Sequence, residues 1–453
     1  PTATNGTQKL TPTASGKSII MEYKGLSYAT AYVFTLPANS ISDLTGNFID
    51  KDITVNFTTK NKPTIAKALY DFIIPDNGDF KAAITAAAKR TDTSVRYRIF
   101  VKAGSYTIPV DSSVTVTGSD GVAYPSATTV INTPNVSIVG ENMDEVTFVN
   151  TVPTNLIAGT YGPANPIEGI GKGDVLQLNS GATNTYFQDV TLKSGMADNT
   201  GRNIVLNDKS NKTICKDVCL YAYQDTYVSN NENSRFYFEG GRLRGRTDFL
   251  CGKGDVYYNG VDLVMCANGY LAVPSKPTQY GYIFKDCVIK GEVEGLDGNY
   301  TLGRPWGQGT PIALFIDTKM EIKPSAIGWS EMSGGWPARF AEYNSYTTTG
   351  TSVDLTARKT TFADTHTNNP VLTAEEAAVP TLTTVMGGSD DWDPTAYTEQ
   401  ASAPTNVKLS NNTLTWDNND YVLCWAVCKN GKVIYFTTTA SYSVDDTTAT
   451  WSV

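Results

Sequence analysis

The stretch YFQDVTLKSG, residues 186–195, joins an apolar pair, a polar step and a run of alternating apolar residues. Its form recurs along the chain as NVSIVGENM (135–143), ICKDVCLYAY (214–223), RFYFEGGRLRG (235–245), VYYNGVDLVMC (256–266) and YIFKDCVIKG (282–291). From Asp189 onward the steps lie 28, 23, 20 and 26 residues apart, at Asp217, Gly240, Gly260 and Asp286. Recurrence at such intervals is typical of stacked repeats.

Strands that recur without intervening helices predict a right-handed parallel β-helix. One coil alone cannot bury its inward face, but a stack of coils can. Propellers and sandwiches are the alternatives, and they need tight turns between successive strands. Two-residue Asn-Gly or Asp-Gly turns are rare here, which favours the β-helix.

Both ends of the chain are expected to carry small β-sandwich-like modules. Short alternating strands predict an Ig-like module over residues 1–61, and NVKLS, TLTWD and TATWSV predict a fibronectin type III-like module over residues 403–453. The β-helix domain would occupy residues 62–398. The fold class is therefore all-β. Because Pro1 is not a methionine and both modules look incomplete, we expect the chain to be part of a longer protein.

The composition excludes several classes of function. The net charge of −9 argues against a nucleic-acid partner, and no apolar run is long enough for a membrane span. The seven cysteines contain no C-x-x-C pair and no neighbouring histidine, so we expect buried thiols and no metal site. One disulfide stays open as an alternative.

The single histidine, His366, lies in the turn-rich stretch FADTHTNNP and is expected to be a surface loop residue. A Ser-His-Asp mechanism would need it next to a nucleophile, and no such motif surrounds it. Hydrolytic chemistry in this chain would therefore have to use carboxylates.

Three segments carry side chains suited to such chemistry: YQDTYV (223–228), GRTDFLCG (245–252) and YTLGRPWGQG (300–309). Asp225 and Asp248 are 23 residues apart, one repeat, so they are expected to be neighbours on one face of the coil. Two close carboxylates cannot both ionise easily, and a nearby Arg304 would keep one charged. The pair would then supply a nucleophile and a general acid.

These segments resemble the pectin methylesterase family. LGRPW (302–306) is its most specific signature, YQDT and GRTDFLCG match two further segments, and VKAGSY, DNGDFKAAITAA, IGW and AEYNS follow its order over about 65–345. The family fold is a right-handed parallel β-helix. The resemblance implies hydrolysis of galacturonate methyl esters in pectin, with no metal or organic cofactor.

The resemblance also implies a role for each site residue. Asp248 would be the nucleophile, Asp225 the acid and then the base, and Arg304 the group that orients Asp248. Gln224 would donate to the oxyanion, and Trp306 would stack on a sugar ring. We also single out Tyr270 and Trp329 as groove aromatics.

The sequence departs from the family at Arg202, which stands in the slot of a second oxyanion glutamine, 22 residues before Gln224. Arg202 could serve the oxyanion or bind an extra carboxylate, so a decorated or branched pectin is a candidate substrate. Cys251, where the family has phenylalanine, is interpreted as packing. Arg242, Arg244 and Arg246 form either a solvated face or a site for galacturonate carboxylates; strand alternation places all three on the Asp248 side unless Gly245 breaks the phase.

The alternatives are a β-helix pectate lyase or polygalacturonase and a non-catalytic pectin-binding β-helix. We expect the partner to be a pectic polysaccharide or oligosaccharide and the protein to be a monomer. The flanking modules favour a secreted or cell-surface protein.

Overall fold

The structure is a computed structural model, and it divides into two compact units, Pro1–Lys67 and Ala68–Val453. It describes residues 2–3, 6–7, 10, 12–15, 18–21, 26, 30–42, 45–59, 70–151, 167, 171–199, 201–399, 401, 403–418, 422 and 424–453. The predicted boundary between residues 61 and 62 lies outside the described residues, and the boundaries of all three predicted domains stay predictions.

The first unit is antiparallel. Its described strands are Thr2–Ala3, Gly6–Thr7, Pro12–Ser15, Ser18–Met21, Ala31–Leu36 and Ile53–Thr58. The last two pair along their whole length, and Tyr32 stacks on Phe57 at 5.7 Å between ring centroids. This unit is β-structured, as the alternating pattern predicts.

The second unit is built from coils of parallel strands, and each complete coil contributes to three stacks. The first stack, here called the groove stack, carries the candidate site. It contains Thr129–Ile131, Leu176–Leu178, Leu206–Asp208, Tyr227–Ser229, the C-terminal parts of Arg242–Gly252 and Asp262–Pro274, and Thr301–Gly303.

The second stack is a ten-stranded sheet. Its strands are Phe72–Ile74, Tyr97–Val101, Val136–Gly140, Tyr186–Gln188, Thr213–Lys216, Arg235–Glu239, Asp255–Asn259, Tyr282–Lys285, Ile312–Ile316 and Arg339–Tyr343. Every pairing in this sheet is parallel and joins strands of successive coils.

The third stack follows the second after a short corner. It contains Gly104–Ile108, Val146–Asn150, Thr191–Lys193, Cys219–Tyr221, the N-terminal parts of Arg242–Gly252 and Asp262–Pro274, Val288–Gly291, Lys319–Met320 and Tyr346–Thr347. The three stacks together form the predicted parallel β-helix.

The corner between the second and third stacks explains the polar step in the repeat. Asp189, Asp217, Gly240, Gly260 and Asp286 all adopt a left-handed backbone, with φ between 49° and 63°. Glycine reaches this region without strain, and aspartate and asparagine tolerate it better than other residues do. The recurring step is therefore a backbone requirement, repeated once per coil.

The core fills the inside of the coils. A ladder of buried rings follows the coil axis, with centroid distances of 5.1 Å for Phe238–Tyr258, 4.6 Å for Tyr258–Phe284 and 4.2 Å for Phe284–Phe315. Offset stacking of this kind adds to the burial of the rings. Five of the seven cysteines are also buried, and all seven are free thiols.

Helices and hairpins cover parts of the β-helix. The helix Phe80–Lys89 is capped by Asp79, whose side chain accepts from the Ala82 N–H at 2.8 Å, and it buries Phe80 and Ile84. The remaining elements of this group are the hairpins Asp111–Thr117 with Ala123–Ser126 and Thr361–Phe362 with His366–Thr367, the helices Ala374–Ala377 and Leu382–Gly387, and the 3-10 turn Pro394–Ala396.

The C-terminal segment folds into two antiparallel three-stranded sheets. Leu414, Trp416, Trp425 and Val427 form its small core. Its strands are Lys408–Ser410, Thr413–Thr415, Trp425–Lys429, Lys432–Thr437, Ser441–Ser443 and Trp451–Ser452.

Candidate active site

Asp225 and Asp248 lie at equivalent places in consecutive coils. Gln224 and Thr247 form a parallel bridge, and the Asp225 N–H donates to the Thr247 carbonyl at 3.1 Å. Both aspartates are buried, and both have a left-handed backbone, with φ of 54° and 51°. Aspartate tolerates this conformation better than most residues with a side chain do.

Arg304 binds Asp248 through two hydrogen bonds. Its Nε donates to Asp248 Oδ1 at 2.9 Å, and its Nη2 donates to Oδ2 at 2.6 Å. Thr247 pairs with Tyr270, and Tyr270 pairs with Thr301, so Arg304 reaches back from two coils away. Such a bidentate pair is both strong and geometrically specific.

Burial and the ion pair act on Asp248 in opposite directions. Burial raises the pKa of Asp248, and the hydrogen bond and charge of Arg304, with a smaller contribution from Arg246, oppose that rise. Asp248 is only 5% exposed, so the arginine is what makes the ionised carboxylate tolerable there. A desolvated but ionised carboxylate is suited to nucleophilic attack.

The ring of Tyr270 packs against the face of the Arg304 guanidinium. The Arg304 guanidinium carbon lies 3.9 Å from the centroid of the half-buried Tyr270 ring. An arginine whose edge is fixed by a carboxylate and whose face is fixed by a ring has little freedom to move. The residue singled out as a groove aromatic therefore supports Arg304 directly.

The three arginines before Asp248 do not act together. Arg242 pairs with Asp144, and Arg244 is bound by Asp198 at 2.8 Å and Glu292 at 2.6 Å. Of the two alternatives left open by the sequence, a site beside Asp248 formed by all three arginines does not agree with these pairings of Arg242 and Arg244. The pairing of their strand shifts register on both sides of Thr247, which interrupts the alternation that the expectation assumed.

Arg246 is the arginine of this group that influences Asp248. It lowers the pKa of Asp248 against the rise caused by burial. Its own side chain is anchored, because Nε donates to the Asn268 carbonyl at 2.7 Å and Nη1 donates to Thr247 Oγ1 at 3.2 Å. Arg246 therefore presents a fixed positive charge beside the carboxylate.

Arg202 lies within electrostatic range of the same place. Burial raises the pKa of the Cys251 thiol well above its usual value, the charges of Asp225 and Asp248 raise it further, and Arg202 opposes them. Cys251 itself packs in an apolar cluster with Ile204, Val228, Val273 and Met332. Its interpretation as a packing residue fits this environment.

Gln224 is half-buried, and its backbone is fixed by a residue that the sequence reasoning missed. Asn203 Oδ1 accepts the N–H of Tyr223 at 3.1 Å and that of Gln224 at 2.8 Å. The signal available in the sequence was its place directly after Arg202, in the segment that departs from the family.

The two tryptophans singled out from the sequence have different environments. Trp306 is 37% exposed, as a sugar-stacking residue requires. Trp329 is fully buried and stacks on Phe340 at 4.7 Å, so its prediction as a groove residue is wrong. The ring faces the core of the coils, where it continues the ladder of aromatic side chains.

Three further observations concern metal ligands, the single histidine and membrane-spanning helices. No group of three or more His, Cys, Asp or Glu side chains in the described part of the chain could hold a metal ion. His366 stacks on Trp336 with ring centroids 3.6 Å apart and an angle of 3° between the planes. No helix among the described residues is long and apolar enough to cross a membrane.

Comparison with known proteins bears on the same segments. Residues 177–385 match the family model described as Pectinesterase. This segment, which is just under half of the chain, is similar to the pectinesterase family. The resemblance noted in the sequence is thereby confirmed, and the matched residues include Asp225, Asp248 and Arg304.

Curated pectinesterases match part of the chain. It is 25% identical over 209 residues to putative pectinesterase 11 of Arabidopsis thaliana, which covers 45% of this chain and 54% of that protein. It is 26% identical over 203 residues to a pectinesterase of Ralstonia solanacearum, covering 37% of this chain and 51% of that protein. The chain thus spans about half the length of these relatives.

Solved structures of the family share the fold. The carrot pectin methylesterase superposes with a TM-score of 0.57 at 15% identity, covering 75% of this chain and 98% of that one. The Aspergillus niger enzyme superposes with a TM-score of 0.54 at 18% identity, covering 72% and 96%. Another, with a TM-score of 0.51, is a pectin methylesterase in complex with a hexasaccharide. These parallel β-helix proteins confirm the predicted fold class.

Proposed function

We infer that this chain is a pectinesterase that hydrolyses methyl esters of galacturonate residues in pectin, releasing methanol and a carboxylate. The observation that carries the proposal is the bidentate contact of Arg304 with Asp248, one coil from Asp225. The match of residues 177–385 to the pectinesterase family model supports it.

The geometry supports a two-aspartate mechanism. Ionised Asp248 attacks the ester carbonyl carbon and forms a tetrahedral intermediate. Asp225, protonated because a second negative charge beside Asp248 is unfavourable, gives its proton to the methoxy oxygen as methanol leaves. The resulting acyl-enzyme is hydrolysed when Asp225 takes a proton from water, which attacks the acyl carbon and frees Asp248.

Gln224 is the proposed donor to the oxyanion of both tetrahedral intermediates. An oxyanion donor of this kind lowers the activation free energy by roughly 3 to 4 kcal/mol. Its carboxamide follows Tyr223 in the turn that carries Asp225, so donor and acid come from adjacent residues. Trp306, partly exposed, is the proposed stacking surface for a sugar ring.

Arg202 bears on which kind of pectin the protein prefers. Arg202 and Arg246 add positive charge to this region beyond that of Arg304, which favours a substrate that carries carboxylates close to the reacting ester. We therefore expect a decorated or partly de-esterified pectin to be a better substrate than fully esterified homogalacturonan. Arg202→Gln should reduce that preference, measured as the ratio of kcat/KM on the two substrates.

The deciding experiment measures methanol release and chain cleavage on the same panel of pectic fractions, branched ones included. Methanol without a fall in chain length supports the esterase. Chain cleavage without methanol would favour a lyase or polygalacturonase. Retained binding with neither product, from any fraction, would favour a pectin-binding protein. Secretion, action as a monomer and catalysis without a cofactor belong to the same proposal.

A further inference from the structure

Asn203 makes three hydrogen bonds to the two residues before Asp225. Its Oδ1 accepts the N–H groups of Tyr223 and Gln224, at 3.1 and 2.8 Å, and its own N–H donates to the Gln224 carbonyl at 3.1 Å. The side chain is 1% exposed. Because two N–H groups converge on one oxygen, the orientation of the carboxamide is fixed by its partners.

These bonds act on a strained turn. Asp225 has a left-handed backbone, which aspartate tolerates better than most residues do but which is still less favourable than an ordinary strand conformation. The next coil holds one side of the turn, through the Asp225 N–H and the Thr247 carbonyl. Asn203, in the preceding coil, holds the other side.

The nitrogen of the Asn203 carboxamide, unlike its oxygen, makes no hydrogen bond to the described residues. This nitrogen, Nδ2, is buried. A buried unpaired donor is unfavourable for folding, and each one calls for an explanation. The hydrogen bonds of the Asn203 side chain are thus made by its oxygen alone, to the turn before Asp225.

We propose that Asn203 is a positioning residue, which holds the Gln224–Asp225 peptide so that the Gln224 amide and the Asp225 carboxyl face one point. The proposal rests on the esterase function above and deepens it. Asn203 has no contact with the reacting atoms in this role. It acts through the backbone of the oxyanion donor and through the left-handed turn that aims the acid.

The test compares Asn203→Leu with a matched control, Asn368→Leu. Asn368 is also buried and also accepts a backbone N–H, that of Phe340 at 2.9 Å, but its bonds are to Phe340 and Lys359. Both variants lose a buried acceptor of similar size. We expect Asn203→Leu to lower kcat for methanol release by about 10- to 100-fold with KM within about 3-fold, since small misplacements of reacting groups cost this much. Asn368→Leu should lower the melting temperature and leave kcat of the folded enzyme within about 3-fold.

A second measurement does not depend on activity. Amide hydrogen exchange of the segment 221–227 should accelerate in Asn203→Leu and remain slow in Asn203→Asp, which keeps an acceptor oxygen at the same reach. An Asn203→Leu loss of kcat no larger than that of Asn368→Leu would overturn the proposal. So would unchanged exchange of this segment. If the parent protein releases no methanol, the esterase function fails, while the exchange measurement still decides whether Asn203 holds the turn.

Discussion

Asp225 and Asp248 share a left-handed backbone conformation at equivalent places in two consecutive coils. In a regular strand the side chains alternate between the two faces, and a left-handed residue breaks that alternation. Each aspartate can therefore leave the wall of the coil while the next residues, such as Phe249 and Leu250, return to the core. The two aspartates therefore share both their place in the coil and their backbone conformation.

Asp248→Asn should abolish methanol release. The carboxamide is nearly isosteric but is not a nucleophile, so we expect kcat to fall by at least about 10³-fold, a loss in the range seen for nucleophile variants. Binding of pectic oligosaccharides, measured by calorimetry, should stay within a few-fold of the parent. Methanol release near the parental rate would contradict the assignment of Asp248.

Arg304→Lys should move the acidic limb of the pH profile. The proposed mechanism requires ionised Asp248, whose pKa is raised by burial and lowered by Arg304. Lysine offers a point charge without the two parallel hydrogen bonds, so burial is opposed less and the pKa rises further. The acidic limb of kcat/KM should therefore shift to higher pH. A limb that stays in place would show that this pair does not control the nucleophile.

Tyr270 can be tested with two substitutions that separate its ring from its hydroxyl. Tyr270→Phe keeps the aromatic face under Arg304 and should retain activity within about 2-fold, whereas Tyr270→Leu removes the cation–π contact and should lower kcat/KM by about 3- to 30-fold. The acidic limb should also shift upward in the leucine variant. Equal losses in both variants would point to the hydroxyl instead.

Arg246→Ala should weaken binding of acidic substrate, with Arg242→Ala as its control. Arg246 presents its charge beside Asp248, while Arg242 pairs with Asp144. We expect KM for partly de-esterified pectin to rise about 3- to 10-fold in the first variant and to stay unchanged in the second. Initial rates over a range of substrate concentrations and at two salt concentrations measure both. An equal rise in KM for the two variants would refute a specific role for Arg246.

Asp208→Asn should make the protein more stable at neutral pH. Burial raises the pKa of Asp208 to about 6, above its value in the unfolded chain. The folded state therefore binds more protons between pH 4 and 6, and stability is lost as pH rises through that window. Asparagine carries no charge to bury, so the variant should gain up to about 2 to 3 kcal/mol at pH 7.5 relative to pH 4. Urea unfolding at both pH values tests this, and a gain that does not depend on pH would exclude the ionisation as its cause.

The coil repeat could be predicted from the sequence because it depends on local requirements. Apolar alternation marks the strands, and the residues at the step must tolerate a left-handed backbone, which restricts them to Asp, Asn and Gly. The length of the repeat also placed Asp225 and Asp248 in consecutive coils, since they are 23 residues apart. These features could be predicted because each depends only on the residue type and on the length of the repeat.

Other features depend on contacts that no local pattern records. Arg244 is bound by Asp198 and Glu292, which lie 46 and 48 residues away, so its separation from Asp248 could not be read from strand alternation. The ring of Trp329 could face either the groove or the core. It faces the core, where it stacks on Phe340 in the next coil, and that contact is not visible in the local sequence. The hydrogen bonds of Asn203 could not be predicted either, because they depend on how its coil is aligned with Tyr223 and Gln224 in the next coil.

The ladder of rings inside the coils has a consequence for how such proteins can diversify. Each ring rests on the one before it, from Phe238 through Tyr258 and Phe284 to Phe315, so one coil serves as the template for the next. Coils can then be gained or lost at either end while the interior pair that carries the two aspartates keeps its neighbours. The scaffold can therefore change its length and leave the pair of coils that carries Asp225 and Asp248 in place.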